Sequence, residues 1–267
     1  MENLNILGTG SAMVTKCYNT CFTLSNNNEH FLVDAGGGNT ILSNLEKANI
    51  SINQIHNMFI SHNHNDHILG SIWVIRSVAQ GILNDKYTGS FNIYCHKTSI
   101  TAIKAICSFV LQKKFLKLFD DRIIFIEIEN NCKFEILGRK TTFFDINSTK
   151  QLQFGFKTTL LNNKSLTFLG DEPFRENLKI YCENVDYLFH EAFCLYSQKD
   201  IFKPYEKHHA TVKDACKNAN ILNVKSIILY HTEDKNLEKR KELYTKEGKE
   251  EFNGIIHVPN DLEVIEL

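Results

Sequence analysis

The chain has 267 residues, a formal net charge of −1 at pH 7 and a hydrophobic content of 43%. A charge this close to zero provides no global basic field for holding a long nucleic acid, although local basic patches are compatible with it. The apolar content is sufficient for one sizeable core, so we predict a single domain over residues 1–267.

The cysteines and the N-terminal segment indicate the cellular compartment of the protein. The eight cysteines form no C-x-x-C pair, so neither a zinc knuckle nor a dithiol redox motif is indicated. The start, MENLNILGTG, lacks the features of a signal peptide, and no apolar run approaches the roughly 20 residues that span a bilayer. We therefore predict a cytoplasmic protein that does not contact a membrane.

Strand-like and helix-like segments are mixed along the chain. Short apolar runs typical of strands are, in order, NLNILG, CFTLS, HFLVDAG, IHNMFISH, FNIYCH, RIIFIEIE, TTFFDI, FGFKTTLL, SLTFLGD, DYLFHEAF, SIILYHT and LEVIEL. Helical spacing occurs in ILSNLEKANI and in residues 68–83, 98–114, 212–222 and 237–250. This mixture predicts a layered α/β domain, with sheets packed face to face and helices outside.

Polar residues that could carry chemistry follow the predicted strands. They are Asp34, the cluster at 62–67, Asp171, the pair His190 and Glu191, and His231. Loops at strand ends, held by a rigid scaffold, are where functional sites are usually built. We therefore expect these residues to gather at one edge of the sheets.

The segment SHNHNDH, residues 61–67, is the densest of these groups. Imidazole and carboxylate are natural ligands for zinc and related divalent ions. His62 and His64 are two residues apart and point the same way in an extended chain, whereas Asp66 and His67 lie in a turn that leads into a helix. One short loop can therefore supply ligands to two metal ions, although a polar surface loop without metal is the simpler alternative.

The cluster resembles the H-x-H-x-D-H signature of the metallo-β-lactamase superfamily. The opening LGTGSA, VDAGGG at 33–38, and the motifs LFHEAF and ILYHT resemble the ribonuclease Z-like phosphodiesterase branch, which includes the anti-Pycsar cyclic-nucleotide phosphodiesterases. The resemblance implies a four-layer αββα sandwich with a dinuclear metal centre, in which zinc, or alternatively manganese, is the ion. It also implies a homodimer.

The resemblance assigns a role to each matching residue. His62 and His64 would bind the first ion, Asp66 and His67 would bind the second, Asp171 would bridge the two, and His231 would complete the second site. Asp66 thereby belongs to both the metal-binding and the catalytic set. Asp34 would be a buried aspartate that orients the ligand loop, or simply a turn residue before three glycines.

One expected ligand is missing. The branch has a third first-site histidine in a context such as F-F-D-I-H-S, where this chain reads TTFFDINSTKQ with Asn147. An amide oxygen suits hard ions better than zinc. Three interpretations stay open: a weak or absent first ion, a harder ion such as manganese, or an inactivating substitution of natural or engineered origin.

HEAF and KHHAT resemble two further motifs of the branch, whose glutamate and histidine would be Glu191 and His209. Such a histidine can donate a proton to the leaving oxygen of a phosphodiester while the glutamate fixes its tautomer. Alternatively, Glu191 caps a turn and His209 caps the helix that begins near Thr211. His208 is the weaker candidate of the histidine doublet.

These features favour a metal-dependent phosphodiesterase that cleaves a small or cyclic nucleotide through a metal-bound hydroxide. The residues from 147 to 231 contain no basic, glycine-rich arm of the kind that clamps tRNA in tRNA 3′-processing enzymes, which makes tRNA a less favoured substrate. The alternatives are a tRNA 3′-processing endoribonuclease, a lactonase on the same fold, or a catalytically silent metal- or nucleotide-binding protein.

Overall fold

The computed structural model of the chain describes residues 2–267 and consists of two compact units. Unit 1 holds residues 2–8, 18–129 and 261–267, and unit 2 holds Thr9–Cys17 and Asn130–Asn260. The single domain over residues 1–267 stays a prediction. Across residues 2–267, no helix is long and apolar enough to cross a membrane.

The strands, in chain order, are β1 (Asn3–Gly8), β2 (Cys21–Asn26), β3 (Glu29–Val33), β4 (Ile55–Phe59), β5 (Phe91–Cys95), β6 (Ile123–Glu127), β7 (Lys133–Ile136), β8 (Arg139–Asp145), β9 (Phe154–Thr159), β10 (Ser165–Phe168), β11 (Tyr187–Glu191), β12 (Ser226–Tyr230), β13 (Ile255–His257) and β14 (Val264–Glu266). The helices are α1 (Thr40–Lys47), α2 (Asn65–Leu83), α3 (Lys97–Val110), α4 (Lys113–Leu116), α5 (Lys179–Cys182), α6 (Lys199–Phe202), α7 (Val212–Ile221) and α8 (Arg240–Gly248).

Within the described part of unit 1, seven strands form a sheet in the order β14-β1-β2-β3-β4-β5-β6. The sheet is covered by α2, whose apolar residues recur at helical spacing: Ile68, Ile72, Ile75, Ala79 and Ile82 are all buried in one cluster. Burying each large aliphatic side chain contributes roughly 1.5–3 kcal/mol. This packing fixes the first turn of α2 relative to the sheet.

Within the described part of unit 2, seven strands form a second sheet in the order β13-β12-β11-β10-β9-β8-β7. Its core includes Leu188, Ile227 and the buried face of α7. The start of α7 is set by a capping box, in which the hydroxyl of Thr211 accepts the N–H of Asp214 and the Asp214 carboxylate accepts the N–H of Thr211.

Parallel strands bring the polar residues at their carboxyl ends together within each unit. In unit 1, β3 and β4 are parallel with Val33 beside Phe59, and the N–H of Asp34 donates to the carbonyl of Phe59 at 2.8 Å. In unit 2, β10, β11 and β12 are parallel, so Asp171, Glu191 and His231 emerge at one edge. The expected placement of these residues at strand ends is confirmed within each unit.

The structure differs from the sequence prediction in a few elements. Neither β7 nor β13 was predicted, because β7 buries only Ile136 fully and β13 has three residues with an exposed Ile255, so neither has a clear apolar alternation. The predicted helix at 98–114 divides into α3 and α4, and the one expected from residue 237 begins at Arg240.

Candidate metal centre

The histidine loop, residues 61–67, joins β4 to α2 in unit 1. His64 is extended, with φ −63° and ψ 146°, and precedes the first helical residue. Asp66 and His67 therefore lie in the first turn of α2, which begins before the predicted helix at residue 68, and both are buried. A carboxylate in the first turn of a helix is stabilised by the unpaired N–H groups there.

Asp34 anchors the histidine loop. It is fully buried, with φ +53°, a conformation that aspartate tolerates better than most residues. Its carboxylate accepts the N–H and the hydroxyl of Ser61 at 2.8 and 2.7 Å, and contacts Nδ1 of His67 at 2.8 Å. These charge-assisted hydrogen bonds offset the cost of burying the carboxylate and fix the loop, which agrees with the orienting role expected for Asp34.

The hydrogen-bond chain also assigns tautomers in the histidine loop. Because the Ser61 hydroxyl donates to Asp34, Nδ1 of His62, 2.9 Å from Ser61 Oγ, must be the donor. The Nδ1 atoms of His62 and His67 are thereby committed to partners that lead back to Asp34. Metal-binding histidines commonly have one ring nitrogen fixed in this way by a carboxylate or another hydrogen-bonding group.

The remaining groups of the loop lie close to the Nε2 atoms of His62 and His67. Nδ1 of His64 is 2.9 Å from Nε2 of His62, and a carboxylate oxygen of Asp66 is 3.3 Å from Nε2 of His67. Burial lowers the pKa of His67, but the carboxylates of Asp66 and Asp34 outweigh it and raise that pKa well above its usual value. The pocket therefore favours positive charge, and its imidazole and carboxylate donors fit a divalent ion.

Unit 2 holds a second group, the Asp171 cluster, formed by Asp171, Glu191, His209 and His231. One potential ligand atom from each residue lies within 4.8 Å of the others. Nδ1 of His231 is 3.1 Å from an oxygen of Asp171, and both side chains are buried. Buried carboxylates and imidazoles at this spacing also fit a divalent ion.

Glu191 and His209 form the expected pair. Nδ1 of His209 is 2.6 Å from one Glu191 oxygen, and the other oxygen accepts the N–H of Ala210 at 2.7 Å. Burial raises the pKa of Glu191, but the positive charge of His209 and its hydrogen bond outweigh burial, so the pKa lies below its usual value. Glu191 is thus held as a carboxylate whose hydrogen bond orients the ring of His209.

The alternative roles of the pair are only partly met. Glu191 does hold a turn, through Ala210, but the N-cap of α7 is Thr211 rather than His209. The ring of His209 stacks on Phe193 with centroids 5.0 Å apart and an interplanar angle of 13°, and its side chain is 11% exposed. His209 is therefore oriented on two sides and accessible on another.

Asn147 does not resemble a ligand in its local geometry. It is exposed, with φ +55°. Its N–H donates to the Asp145 carboxylate at 2.7 Å, and its side-chain Nδ2 lies 3.5 Å from the Asp145 carbonyl. Asn147 is thus engaged by Asp145 at the end of β8. An amide is also a poor zinc ligand.

Several residues near these groups were not predicted. Ser61 transmits the orientation of Asp34 to His62, Phe193 stacks on His209, and Lys150 donates to the carbonyl of Asp171 at 3.1 Å. Ser61 and Phe193 lie within the motifs SHNHNDH and LFHEAF, which was a usable signal, whereas Lys150 lies within TTFFDINSTKQ with nothing in the sequence to single it out. His208, the weaker candidate, is exposed with φ +58° and lies 3.4 Å from the hydroxyl of Thr149.

Known proteins resemble this chain over nearly its full length. The family model described as anti-Pycsar protein Apyc1 matches residues 2–254. A ribonuclease Z of Thermococcus sibiricus is 26% identical over 315 aligned positions, which cover 100% of this chain and 97% of the relative.

Solved structures confirm the predicted fold class. The metallo-β-lactamase fold protein YhfI of Bacillus subtilis superposes with a TM-score of 0.81 at 16% identity, over 99% of this chain and 98% of that one. The short form of human tRNase Z gives a TM-score of 0.75 at 20% identity, over 99% and 98% of the two chains. The α/β fold is that of the αββα metallo-β-lactamase sandwich.

Proposed function

We propose, from the premise that this chain belongs to the family of the anti-Pycsar protein Apyc1, that it is a phosphodiesterase acting on a small or cyclic nucleotide. The coarser assignment, a metal-dependent hydrolase of the ribonuclease Z-like branch of the metallo-β-lactamase superfamily, follows from that membership. The observation that carries the finer one is the contact between Glu191 and His209 at 2.6 Å, next to Asp171 and His231.

Each of the two groups of residues contains proposed metal ligands. They are His62, His64, Asp66 and His67 of the histidine loop, and Asp171 and His231 of the Asp171 cluster. Zinc is the proposed ion, because imidazole dominates the donor set. A bound divalent ion would lower the pKa of a water molecule and neutralise charge on the phosphoryl oxygens.

His209 is the proposed proton donor to the leaving oxygen. Its Nδ1 is bound to the Glu191 carboxylate, which leaves Nε2 for the substrate and stabilises the protonated ring. Phe193 prevents the ring from tilting away, and the buried position of Glu191 fixes the axis of the pair. A sugar alkoxide is a strongly basic leaving group, so cleavage of a phosphodiester that releases one needs such a donor.

The proposed substrate is small because the chain carries a net charge of −1, whereas binding RNA through its backbone needs several phosphate contacts. The second candidate is endonucleolytic processing of precursor tRNA. It is favoured by the likeness to the ribonuclease Z of Thermococcus sibiricus.

The test compares substrates under defined metal conditions. The chain and its Asn147→His variant are incubated with cyclic mononucleotides, bis(p-nitrophenyl) phosphate, precursor tRNA and a lactone, with zinc, manganese or a chelator. We expect cleavage of the cyclic mononucleotides that the chelator abolishes. Cleavage of precursor tRNA alone would establish the second candidate, and cleavage of the lactone alone would refute both.

Homodimerisation is part of the same proposal, since members of the family that this chain resembles are commonly homodimers. Light scattering after size-exclusion chromatography should give a mass of twice the 30.8 kDa of one chain. A single peak at the monomer mass, over the concentration range of the activity assay, would contradict it.

A further inference from the structure

We propose that the ammonium group of Lys150 supplies, beside Asp171, the positive charge that a first-site ion would supply, so that the chain binds one divalent ion instead of two. This inference rests on the metal-dependent function proposed above and specifies how many ions that function uses. It also selects among the three interpretations of Asn147, in favour of an absent first ion, so that His62 and His64, which the resemblance assigns to that ion, would hold none.

The first argument is the position of Lys150. Its Nζ donates to the carbonyl of Asp171 at 3.1 Å and lies 3.7 Å from the carboxylate oxygen Oδ2. The other oxygen, Oδ1, lies 3.1 Å from Nδ1 of His231 and 3.5 Å from Nδ1 of His209. Among these contacts, the two imidazoles lie near Oδ1 and the ammonium lies near Oδ2.

This asymmetry matters if Asp171 would offer one of its oxygens to each of two ions. Oδ1 of Asp171 faces the imidazoles, including His231, that fit a divalent ion. Oδ2 faces the ammonium group of Lys150, which offers three donors and no acceptor. A divalent ion on that oxygen would be repelled by an adjacent like charge.

The second argument is that specific hydrogen bonds hold the turn that presents Lys150. The hydroxyl oxygen of Ser148 accepts the N–H groups of Lys150 and Gln151 at 3.1 and 3.4 Å. Ser148 in turn donates to the carboxylate of Glu172, which is buried and directly follows Asp171 in the chain.

Glu172 receives two further hydrogen bonds that fix this connection. It accepts the N–H of Thr149 at 3.2 Å and an Arg175 N–H at 2.8 Å. The turn is thereby tied to the residue next to Asp171, and the side chain of Lys150, only 19% exposed, is directed at the carboxylate.

The third argument is that the same turn lacks the expected ligand. Asn147 stands three positions before Lys150, where the resembling branch has a first-site histidine. One short segment therefore both lacks a ligand and presents a cation to the carboxylate that would bridge the ions. Each change lowers affinity for a first-site ion, and together they replace the ion by a charge that belongs to the chain.

The test is metal stoichiometry, measured by elemental mass spectrometry after zinc loading and dialysis, and by titration calorimetry. The chain is compared with Asn147→His, Lys150→Met and the double variant. Lys217→Met, which removes an exposed lysine of α7, is the matched control for a change in charge. We expect about one ion per chain for all of these except the double variant, which restores a ligand and removes the repelling charge and should bind about two.

Several outcomes would overturn the inference. They are two ions in the unmodified chain, two ions in Asn147→His alone, or one ion in the double variant. Lys150→Gln serves in place of Lys150→Met if circular dichroism shows that the methionine variant is unfolded. A chain that binds no ion refutes both this inference and the proposed function. One ion with no phosphodiester cleavage refutes only the proposed function.

Discussion

Replacing Glu191 with glutamine exchanges one oxygen for an amide nitrogen and leaves the side chain the same size. The carboxylate now accepts two hydrogen bonds, from Ala210 at 2.7 Å and from Nδ1 of His209 at 2.6 Å. The two bonds end on different oxygens of Glu191, and glutamine keeps only one of these atoms as an acceptor, so one bond is lost. Whichever bond it keeps, the negative charge that stabilises a protonated His209 is lost.

The expected effect follows from the value of that bond. A hydrogen bond to a charged group contributes about 1.5–3 kcal/mol. At about 1.4 kcal/mol per tenfold change, Glu191→Gln should lower kcat by roughly 10- to 150-fold. His209→Ala removes the donor altogether and should cost about 10²- to 10⁴-fold.

The assay compares two leaving groups. The sugar alkoxide released from a cyclic nucleotide is strongly basic and needs a proton, whereas p-nitrophenolate is weakly basic and leaves without one. Both variants should therefore lose activity towards the cyclic nucleotide but keep most activity towards bis(p-nitrophenyl) phosphate. Glu206→Gln, which changes an exposed glutamate in the segment between α6 and α7 that carries His209, is the control. Equal losses on the two substrates, accompanied by loss of bound metal, would show that the pair supports the metal centre instead.

Three further substitutions test the scaffold of the site. Asp34→Asn removes the buried charge that holds the histidine loop and should weaken metal affinity by about 10- to 100-fold, as measured by competition with a chelating dye. Gly70→Ala would place a Cβ 1.8 Å from the carbonyl oxygen of Ala35, so it should destabilise the chain by about 1–3 kcal/mol in urea unfolding and displace α2. Burial raises the pKa of Asp186, but hydrogen bonds from Lys225 and Ser165 lower it more, so the net shift is downward. The stabilisation that the Asp186 carboxylate contributes is therefore present at neutral pH and is lost as the pH falls through the lowered pKa. Asp186→Asn should therefore cost about 0.5–1 kcal/mol at pH 7 and progressively less below the ordinary value of 3.8.

The histidine loop and the strand-end residues could be predicted from the sequence because their signals are local. SHNHNDH directly follows an apolar run and precedes helical spacing, and the structure places it between β4 and α2. Asp171 and His231 likewise follow β10 and β12. An apolar run, a ligand-type residue and a change of period are sufficient to locate such positions.

Lys150 could not be found in this way. Its role depends on a turn held by Ser148 and Glu172, which are 24 positions apart in the chain. An isolated lysine in a polar segment has no distinguishing periodicity, and its contact with Asp171 follows from tertiary hydrogen bonds. The motif also identified Asn147 as a departure without showing that the same turn carries a substitute charge.

The backbone conformation of Asn147 bears on the replacement of the expected histidine by asparagine. Its φ of +55° lies in the left-handed region, where asparagine, aspartate and histidine are among the few side chains found with any frequency. The residue types that the turn accepts therefore include both a metal ligand and a non-ligand. Under the proposed ligand set, a single exchange between histidine and asparagine here would change the number of ligands while leaving the turn unstrained. Selection on metal use at this position is thereby separated from selection on folding.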